Sequence, residues 1–351
     1  MNLISEQPGK TPGYWCTWGL QNTLAASQDT SNSFGFTGHS LIAKTLTEEN
    51  MLKHSFETNF LVNIRGDLFV LYDLGWDVPG DVSFDGNNWM LGSLEVATDK
   101  FPSASGTPTE RLFKLNEWTK SYGWRGAALW VSANAYGDGK DDIRFSDENL
   151  ENYFRERMKW SAEAGIEYWK VDYGLRALDH KFREMLTRIG REVAPNLLIE
   201  HARNGGPLND VECPWDTPNV KGTGLFKAWD EGLIYQASVD MVQFSDVFRT
   251  YDVSRTLSVP TTLDRVSEML QAFSETGNTC ILNCESEPLI GSVLGCAIGI
   301  MGHHQEEGEA QLTDNSHADE YVRAIKWQRM APAWGVGYGK NYSDTEYLAD
   351  M

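Results

Sequence analysis

Short apolar runs recur along this chain and alternate with stretches in which apolar residues return every third or fourth position, the pattern of consecutive strand and helix units. Seven runs read as strands: "YWCTWGL" (14–20), "LFVLYDL" (68–74), "AALWVS" (127–132), "EYWKVD" (167–172), "LLIEH" (197–201), "MVQFSDVF" (241–248) and "TCILN" (279–283). An eighth is expected at "APAWGVG" (331–337), after the amphipathic segment "DEYVRAIKWQRM", which makes a good final helix. Ahead of strand four, "ENLENYFRERMKWSAEAG" places Leu150, Phe154 and Met158 on one helical stripe and finishes at Gly165, a residue type that ends helices. "RLFKLNEWTKSYG" and "KFREMLTRIGREV" behave alike, each leading within a few residues into the next strand. The expected fold is therefore α/β, a (β/α)8 TIM barrel filling residues 1–351 as a single domain, with no dividing linker and no solenoid-like repeat. Its long βα loops, about 77–106 and 202–235, are rich in Gly, Asn, Asp and Pro and follow C-terminal strand ends, where active sites of this architecture gather.

Composition narrows the function classes. With 41% hydrophobic and 23% charged residues the chain reads as a soluble globular protein with a sizeable core. Asp and Glu number 50 against 30 Lys and Arg, a net charge of −20, so the basic surface that would neutralise phosphates is missing and nucleic acid is excluded as an expected partner. The 13 Trp, 13 Tyr and 15 Phe suit sugar stacking and core filling equally, and most are assigned to the core. Five cysteines, Cys16, Cys213, Cys280, Cys284 and Cys296, form no Cys-x-x-Cys pair and are read as buried free thiols. No signal pattern opens the chain and no apolar run approaches the roughly 20 residues of a membrane span, so no membrane partner and a cytoplasmic address are expected unless a signal has been removed.

The chemistry lies in charges at strand ends. In "IEYWKVDYG" (166–174), Lys170 and Asp172 share one face of the fourth strand while Trp169 and Val171 share the other. A buried carboxylate needs a partner or a polar cavity, so an ion pair of Lys170 with Asp172 is one reading. Acids recur, however, at Asp73 (strand two), Glu200 beside His201 (strand five) and Asp246 and Asp252 around strand six, where Arg249 also lies. Carboxylates converging on one barrel mouth are the equipment of glycoside hydrolysis, one ionised to attack and one protonated to release the leaving oxygen.

These residues resemble the clan of retaining α-galactosidases, the melibiases of glycoside hydrolase families 27 and 36. "GYWCTWGLQN" is similar to the Trp-rich first strand of that clan, and "YDLGWD" to its Asp-Asp-Gly-Trp motif at the end of strand two. "TDKFPS" matches its Asp-x-x-Phe-Pro turn, "WKVDYG" its Lys-x-Asp nucleophile motif, and "FRTYDV" its Arg followed by the acid/base Asp. The resemblance implies a retaining glycoside hydrolase acting on α-galactoside-like linkages, with Asp172 as nucleophile and Asp252 as acid/base; the family 36 form, matched by "QFSD", would nominate Asp246 instead. Trp18, Asp73, Trp76, Lys170, Glu200, Asp246 and Arg249 become substrate-binding candidates, with Glu200 near a 2-hydroxyl. A carbohydrate is the implied partner, and neither cofactor nor metal is called for. Leu74 departs from the pattern by replacing its second sugar-binding aspartate. The tail after the expected eighth strand is too short for the C-terminal β-domain that family members append, so either the barrel stands without it or the sequence stops short of it. Rival readings are a glycan-binding barrel without catalysis, a Schiff-base aldolase using Lys170, and a metal hydrolase built on His201, His303 and His304.

Overall fold

Alternation along each strand sorts side chains to two sides of a closed sheet. The computed structural model describes residues 5–28, 37–78, 93–133, 147–172, 174, 176–177, 179–202, 231–250, 258–285, 287–302 and 318–336. Eight parallel strands close in chain order: β1 (Gly13–Cys16), β2 (Leu68–Tyr72), β3 (Gly126–Val131), β4 (Tyr168–Val171), β5 (Leu198–His201), β6 (Val247–Arg249), β7 (Ile281–Glu285) and β8 (Ala297–Ile300), which pairs back to β1. The (β/α)8 barrel expected from the pattern is the fold observed.

Trp15, Val70, Leu129, Trp169, Val171, Ile199 and Ile298 face outward into a core shared with the helices. Tyr14, Cys16, Phe69, Leu71, Ala128, Tyr168, Val247, Ile281 and Ala297 pack together inside the barrel. A parallel sheet buried on both faces must be apolar on both, which is why its strands appear in the sequence as continuous apolar runs. Each fully buried Leu, Ile, Val or Phe side chain contributes roughly 1.5–3 kcal/mol.

The helices start where their caps require. Thr107 accepts from the Glu110 amide while Glu110 reaches back to the Thr107 amide, a capping box with Pro108 in the first turn of helix Pro108–Ser121. Asp179 caps helix His180–Val193 through the Phe182 amide. In helix Asp147–Glu163, Leu150, Phe154 and Met158 are buried on the expected stripe.

Three strand assignments change by more than a shift of two residues at an end. The first strand ends at Cys16 and a helix, Trp18–Gln28, begins two residues later, because Thr17 both continues the sheet, its amide donating to Leu71 O at 3.0 Å, and starts the helix by accepting from Gln21 N at 2.9 Å. Residues 241–244 end helix Glu231–Phe244, leaving β6 as a three-residue strand. The eighth strand is Ala297–Ile300, ahead of helix Ala318–Gln328, and not 331–337. Its run hides in "GSVLGCAIGI" because the preceding helix, Pro288–Val293, is too short to display a period. Residues 331–336 instead close the N-terminal end of the barrel: Ala333 N donates to Thr11 Oγ1 at 3.0 Å and Trp334 N to Gly295 O at 2.8 Å. Among the described residues, no helix is long and apolar enough to cross a membrane.

The seam between β1 and β8 needs a missing side chain. Tyr14 pairs with Gly299, and a Cβ at 299 would stand 2.9 Å from the Tyr14 ring and 2.8 Å from Glu285 Cγ. Gly299→Ala is expected to destabilise the barrel by about 1–3 kcal/mol through overpacking. Urea unfolding followed by circular dichroism measures this, and an unchanged midpoint would show that the seam has slack.

Candidate active site

β4 carries Lys170 inward, Val171 outward and then Asp172 just past the strand end, its amide donating to Val131 O at 3.0 Å. Lys170 Nζ donates to Glu285 Oε1 at 2.8 Å and stands 3.9 Å from Asp172 Oδ2. Arg249, the last residue of β6, places Nη1 3.2 Å from Glu285 Oε2 and Nη2 3.5 Å from Asp172 Oδ1. Trp130 Nε1 also donates to Asp172 Oδ2 at 3.1 Å. Side-chain exposure ranks the group by depth: 13% for Asp172, 2% for Arg249, 1% for Lys170 and 0% for Glu285. Asp172 is thus the member that meets the outside.

Beneath it lies a polar floor. Tyr14 Oη is 2.5 Å from Glu285 Oε1 and 3.1 Å from Glu200 Oε1. Glu200 Oε2 accepts from Tyr168 Oη at 2.7 Å and Asn283 Nδ2 at 2.5 Å. Burial raises the pKa of Glu200; Lys170 opposes this and the negative Glu285 adds to it. Burial would do the same to Glu285, but Lys170 and Arg249 outweigh it and hold that carboxyl below its usual range. Lys170 loses solvation, which works against its charge, yet Glu285 and then Asp172 outweigh that and its pKa rises above the ordinary value. The amine is therefore a cation.

Asp73 follows β2 at the same end of the barrel. Its amide donates to Thr17 Oγ1 at 2.9 Å, its Oδ1 accepts from Leu74 N at 2.7 Å, and the Cys16 thiol donates to Oδ2 at 3.0 Å. Burial pushes its pKa up to about 6; Lys170 and the hydrogen bonds pull it down, and Asp172 pushes further up. The turn behind it depends on Gly75 at φ +102, where a Cβ would come within 2.4 Å of Ala43 O. Lys100 Nζ clamps that turn from outside, donating to Gly75 O at 2.5 Å and Ala43 O at 3.0 Å.

Of the residues singled out in the sequence, Asp172, Lys170, Arg249 and Glu200 converge inside the barrel, with Asp73 beside them. Glu200 is fully buried in the floor, its oxygens engaged by Tyr14, Tyr168 and Asn283, so the contact expected of it with a 2-hydroxyl is corrected. Trp18 opens the helix after β1 and packs, half-buried, with Ala43, Leu74 and Trp130. Trp76 is corrected: it is fully buried in the outer core and donates from Nε1 to Trp130 O at 2.9 Å, so it supports β3 and cannot touch a substrate. Asp246 is also corrected, because it precedes β6 and so stands at the N-terminal end of the barrel. There its Oδ1 accepts from Arg191 Nη2 at 2.9 Å and its Oδ2 from Ile199 N at 3.2 Å. Asp252 lies outside the described residues, as do His303, His304 and Cys213. His201 turns outward to helix His180–Val193, where Arg183 Nη1 (3.2 Å) and Thr187 Oγ1 (2.8 Å) occupy its two ring nitrogens, and burial holds its pKa well below the usual imidazole value. Cys16, Cys280, Cys284 and Cys296 are buried free thiols.

Glu285, Tyr14, Tyr168, Asn283 and Trp130 belong to the site and were not expected there. Period-two alternation carries the signal: Ile281, Asn283 and Glu285 share one face of β7, as Tyr14 and Cys16 share one face of β1.

No family model and no curated protein matches the sequence. Among solved structures the fold is similar to that of a GH27 β-L-arabinopyranosidase from Geobacillus stearothermophilus, at 10% identity over 91% of this chain and 76% of that one, with a TM-score of 0.52. A variant of that enzyme in complex with arabinose matches at 10% identity over 91% of this chain and 77% of that one, with a TM-score of 0.50. Alpha-galactosidase I from Mortierella vinacea matches at 13% identity over 92% and 74%, with a TM-score of 0.43. At 10% identity the likeness to the arabinopyranosidase shows a shared barrel fold.

Asp73 yields a pH prediction. Its folded pKa, about 6, lies above the ordinary 3.8, so the folded chain binds more protons than the unfolded chain between those values and ionising Asp73 lowers stability as pH rises. Asp73→Asn keeps the acceptor for the Leu74 amide and removes the ionisation. Its melting temperature relative to wild type should therefore rise between pH 4 and pH 7.5; a difference constant across that range would contradict the assignment.

Proposed function

We propose that this chain is a retaining glycoside hydrolase acting on α-galactoside-like linkages, with Asp172 as nucleophile and Asp252 as acid/base. The observation that carries the reading is Asp172 itself: the most exposed acid of the interior cluster, at the C-terminal mouth of a (β/α)8 barrel, flanked by two cations and an indole N–H. That end of the barrel is where this architecture does its chemistry. The similar fold of a β-L-arabinopyranosidase supports the class of reaction.

In the first half-reaction an Asp172 oxygen forms a bond to the anomeric carbon as the glycosidic C–O bond breaks, and the departing oxygen takes its proton from Asp252. In the second, Asp252 takes a proton from water, the water oxygen replaces Asp172 at the anomeric carbon, and configuration is retained. The two carboxyl groups should stand roughly 5–5.5 Å apart. Lys170 and Arg249 stabilise the carboxylate each time Asp172 leaves. Trp18 would offer an apolar wall to the sugar face, and Asp73 would accept from ring hydroxyls. Leu74, packed with Trp18 and Trp130, supplies no hydroxyl acceptor. That favours a sugar with one hydroxyl fewer than galactose, such as an arabinopyranose, which keeps the ring hydroxyls of galactose and lacks its hydroxymethyl group.

A Schiff-base role for Lys170 is disfavoured by its 2.8 Å contact with Glu285, which keeps the amine protonated and without a free lone pair.

The test uses aryl α-D-galactopyranoside, N-acetyl-α-D-galactosaminide and β-L-arabinopyranoside. Wild-type protein should cleave at least one, the first-formed sugar keeping its anomeric configuration by proton NMR, and Asp172→Ala should lower kcat by about 10³-fold or more. Inversion, or near-wild-type turnover by Asp172→Ala, would overturn the assignment.

A further inference from the structure

Glu285 is fully buried, so it cannot touch a sugar, yet among the described residues it stands closer than Asp172 to both cations that flank Asp172. Lys170 Nζ is 2.8 Å from Glu285 and 3.9 Å from Asp172; Arg249 is 3.2 Å from Glu285 and 3.5 Å from Asp172. We infer that Glu285 is a positioning residue: by drawing Lys170 and Arg249 onto its two oxygens, it keeps both cations beside Asp172 while preventing either from closing on that carboxylate. This rests on the nucleophilic role proposed for Asp172.

The physical reason lies in what a nucleophile needs. A cation in direct charge-assisted contact, at about 2.7–2.9 Å, would occupy the oxygen lone pair that must attack carbon. Set back by a fraction of an ångström to one ångström, the same charge still stabilises the anion in a low-dielectric site while holding its oxygens less tightly. The carboxylate that sets the cations back is itself fixed. Tyr14 holds Oε1 from the floor, and the absent side chain at Gly299 gives the Glu285 stem its room.

Tyr14 also fixes where the negative charge sits. Its one hydroxyl hydrogen cannot be donated to both Glu285 and Glu200, and the shorter contact, 2.5 Å against 3.1 Å, belongs to Glu285. The remaining contact is satisfied when Glu200 carries a proton and donates it to the Tyr14 oxygen. Among the described residues, Lys170 and Arg249 then face the anions Glu285 and Asp172. Removing the charge at 285 frees both cations to move closer to Asp172 and allows Glu200 to ionise.

Wild type, Glu285→Gln, Lys170→Met and the double variant are compared for kcat and KM on the glycoside that works best. In parallel, Glu200 is titrated by NMR in protein carrying carboxyl-13C glutamate, without substrate, its resonance assigned with Glu200→Gln. Glu285→Gln should lower kcat about 10- to 100-fold with KM within about threefold, and should add no more than about threefold to the loss in Lys170→Met, since both act through one unit. Glu200 should ionise at lower pH in Glu285→Gln. A kcat within twofold of wild type, a fully multiplicative double variant or an unmoved Glu200 titration would each overturn the inference. Should Glu285→Gln fail to fold, Glu285→Asp, which keeps the charge but shortens the reach, should lose about 3- to 10-fold in kcat, and an unimpaired Glu285→Asp would overturn it equally. The two failures are distinguishable. A wild type that cleaves no glycoside removes the hydrolase reading and the inference with it, whereas an active wild type with an unimpaired Glu285→Gln removes the inference alone.

Discussion

A charge inside a barrel must be matched there, because the low-dielectric interior penalises each unmatched one by several kcal/mol. Lys170 and Arg249 enter from β4 and β6, and Glu285 from β7 takes a hydrogen bond or close ion contact from each. These three residues come from strands separated by as many as 115 positions in sequence, and their pairing ties three of the eight strands together at the end where the loops gather. Asp172 inherits its surroundings from that arrangement, since both cations beside it are oriented from below. Stability and the proposed chemistry would therefore share one set of contacts.

The fold was legible because its signal is redundant. Each βα unit repeats one pattern, so errors at individual strands, such as the displaced eighth or the overextended sixth, leave the architecture intact. Those errors have a common cause. Where an apolar run crosses directly from strand to helix, as at Cys16–Trp18, or a helix is only six residues long, as at Pro288–Val293, periodicity has too few residues to mark the boundary.

The site was legible in part for a related reason. Asp172 and Lys170 announce themselves as charges within an apolar run, and Arg249 as a charge at its edge. Glu285 sits at the end of an equally apolar strand, but the apolar run in the sequence stops at Asn283, two residues early, so the acid falls outside it. Tyr14 and Tyr168 carry no charge and resemble core aromatics; their hydroxyls become informative only once Glu200 and Glu285 are known to lie opposite. Asp246 failed the other way: a strand drawn too long at its N-terminal side moved that residue from one end of the barrel to the other. Burial separates Trp76 from Trp18 in the same manner, and no pattern in the sequence distinguishes a tryptophan that props a strand from one that lines an opening.

The seam where the first and last strands meet leads further. The Tyr14 ring fills the space that a side chain at 299 would take, and Glu285 borders the same void. Positions 14, 285 and 299 are therefore interdependent over evolutionary drift: a larger residue at 299 becomes tolerable only in a lineage that has already trimmed the tyrosine. Relatives of this chain should consequently differ at these three places together or at none of them, leaving a covariation signature that spans nearly the whole polypeptide.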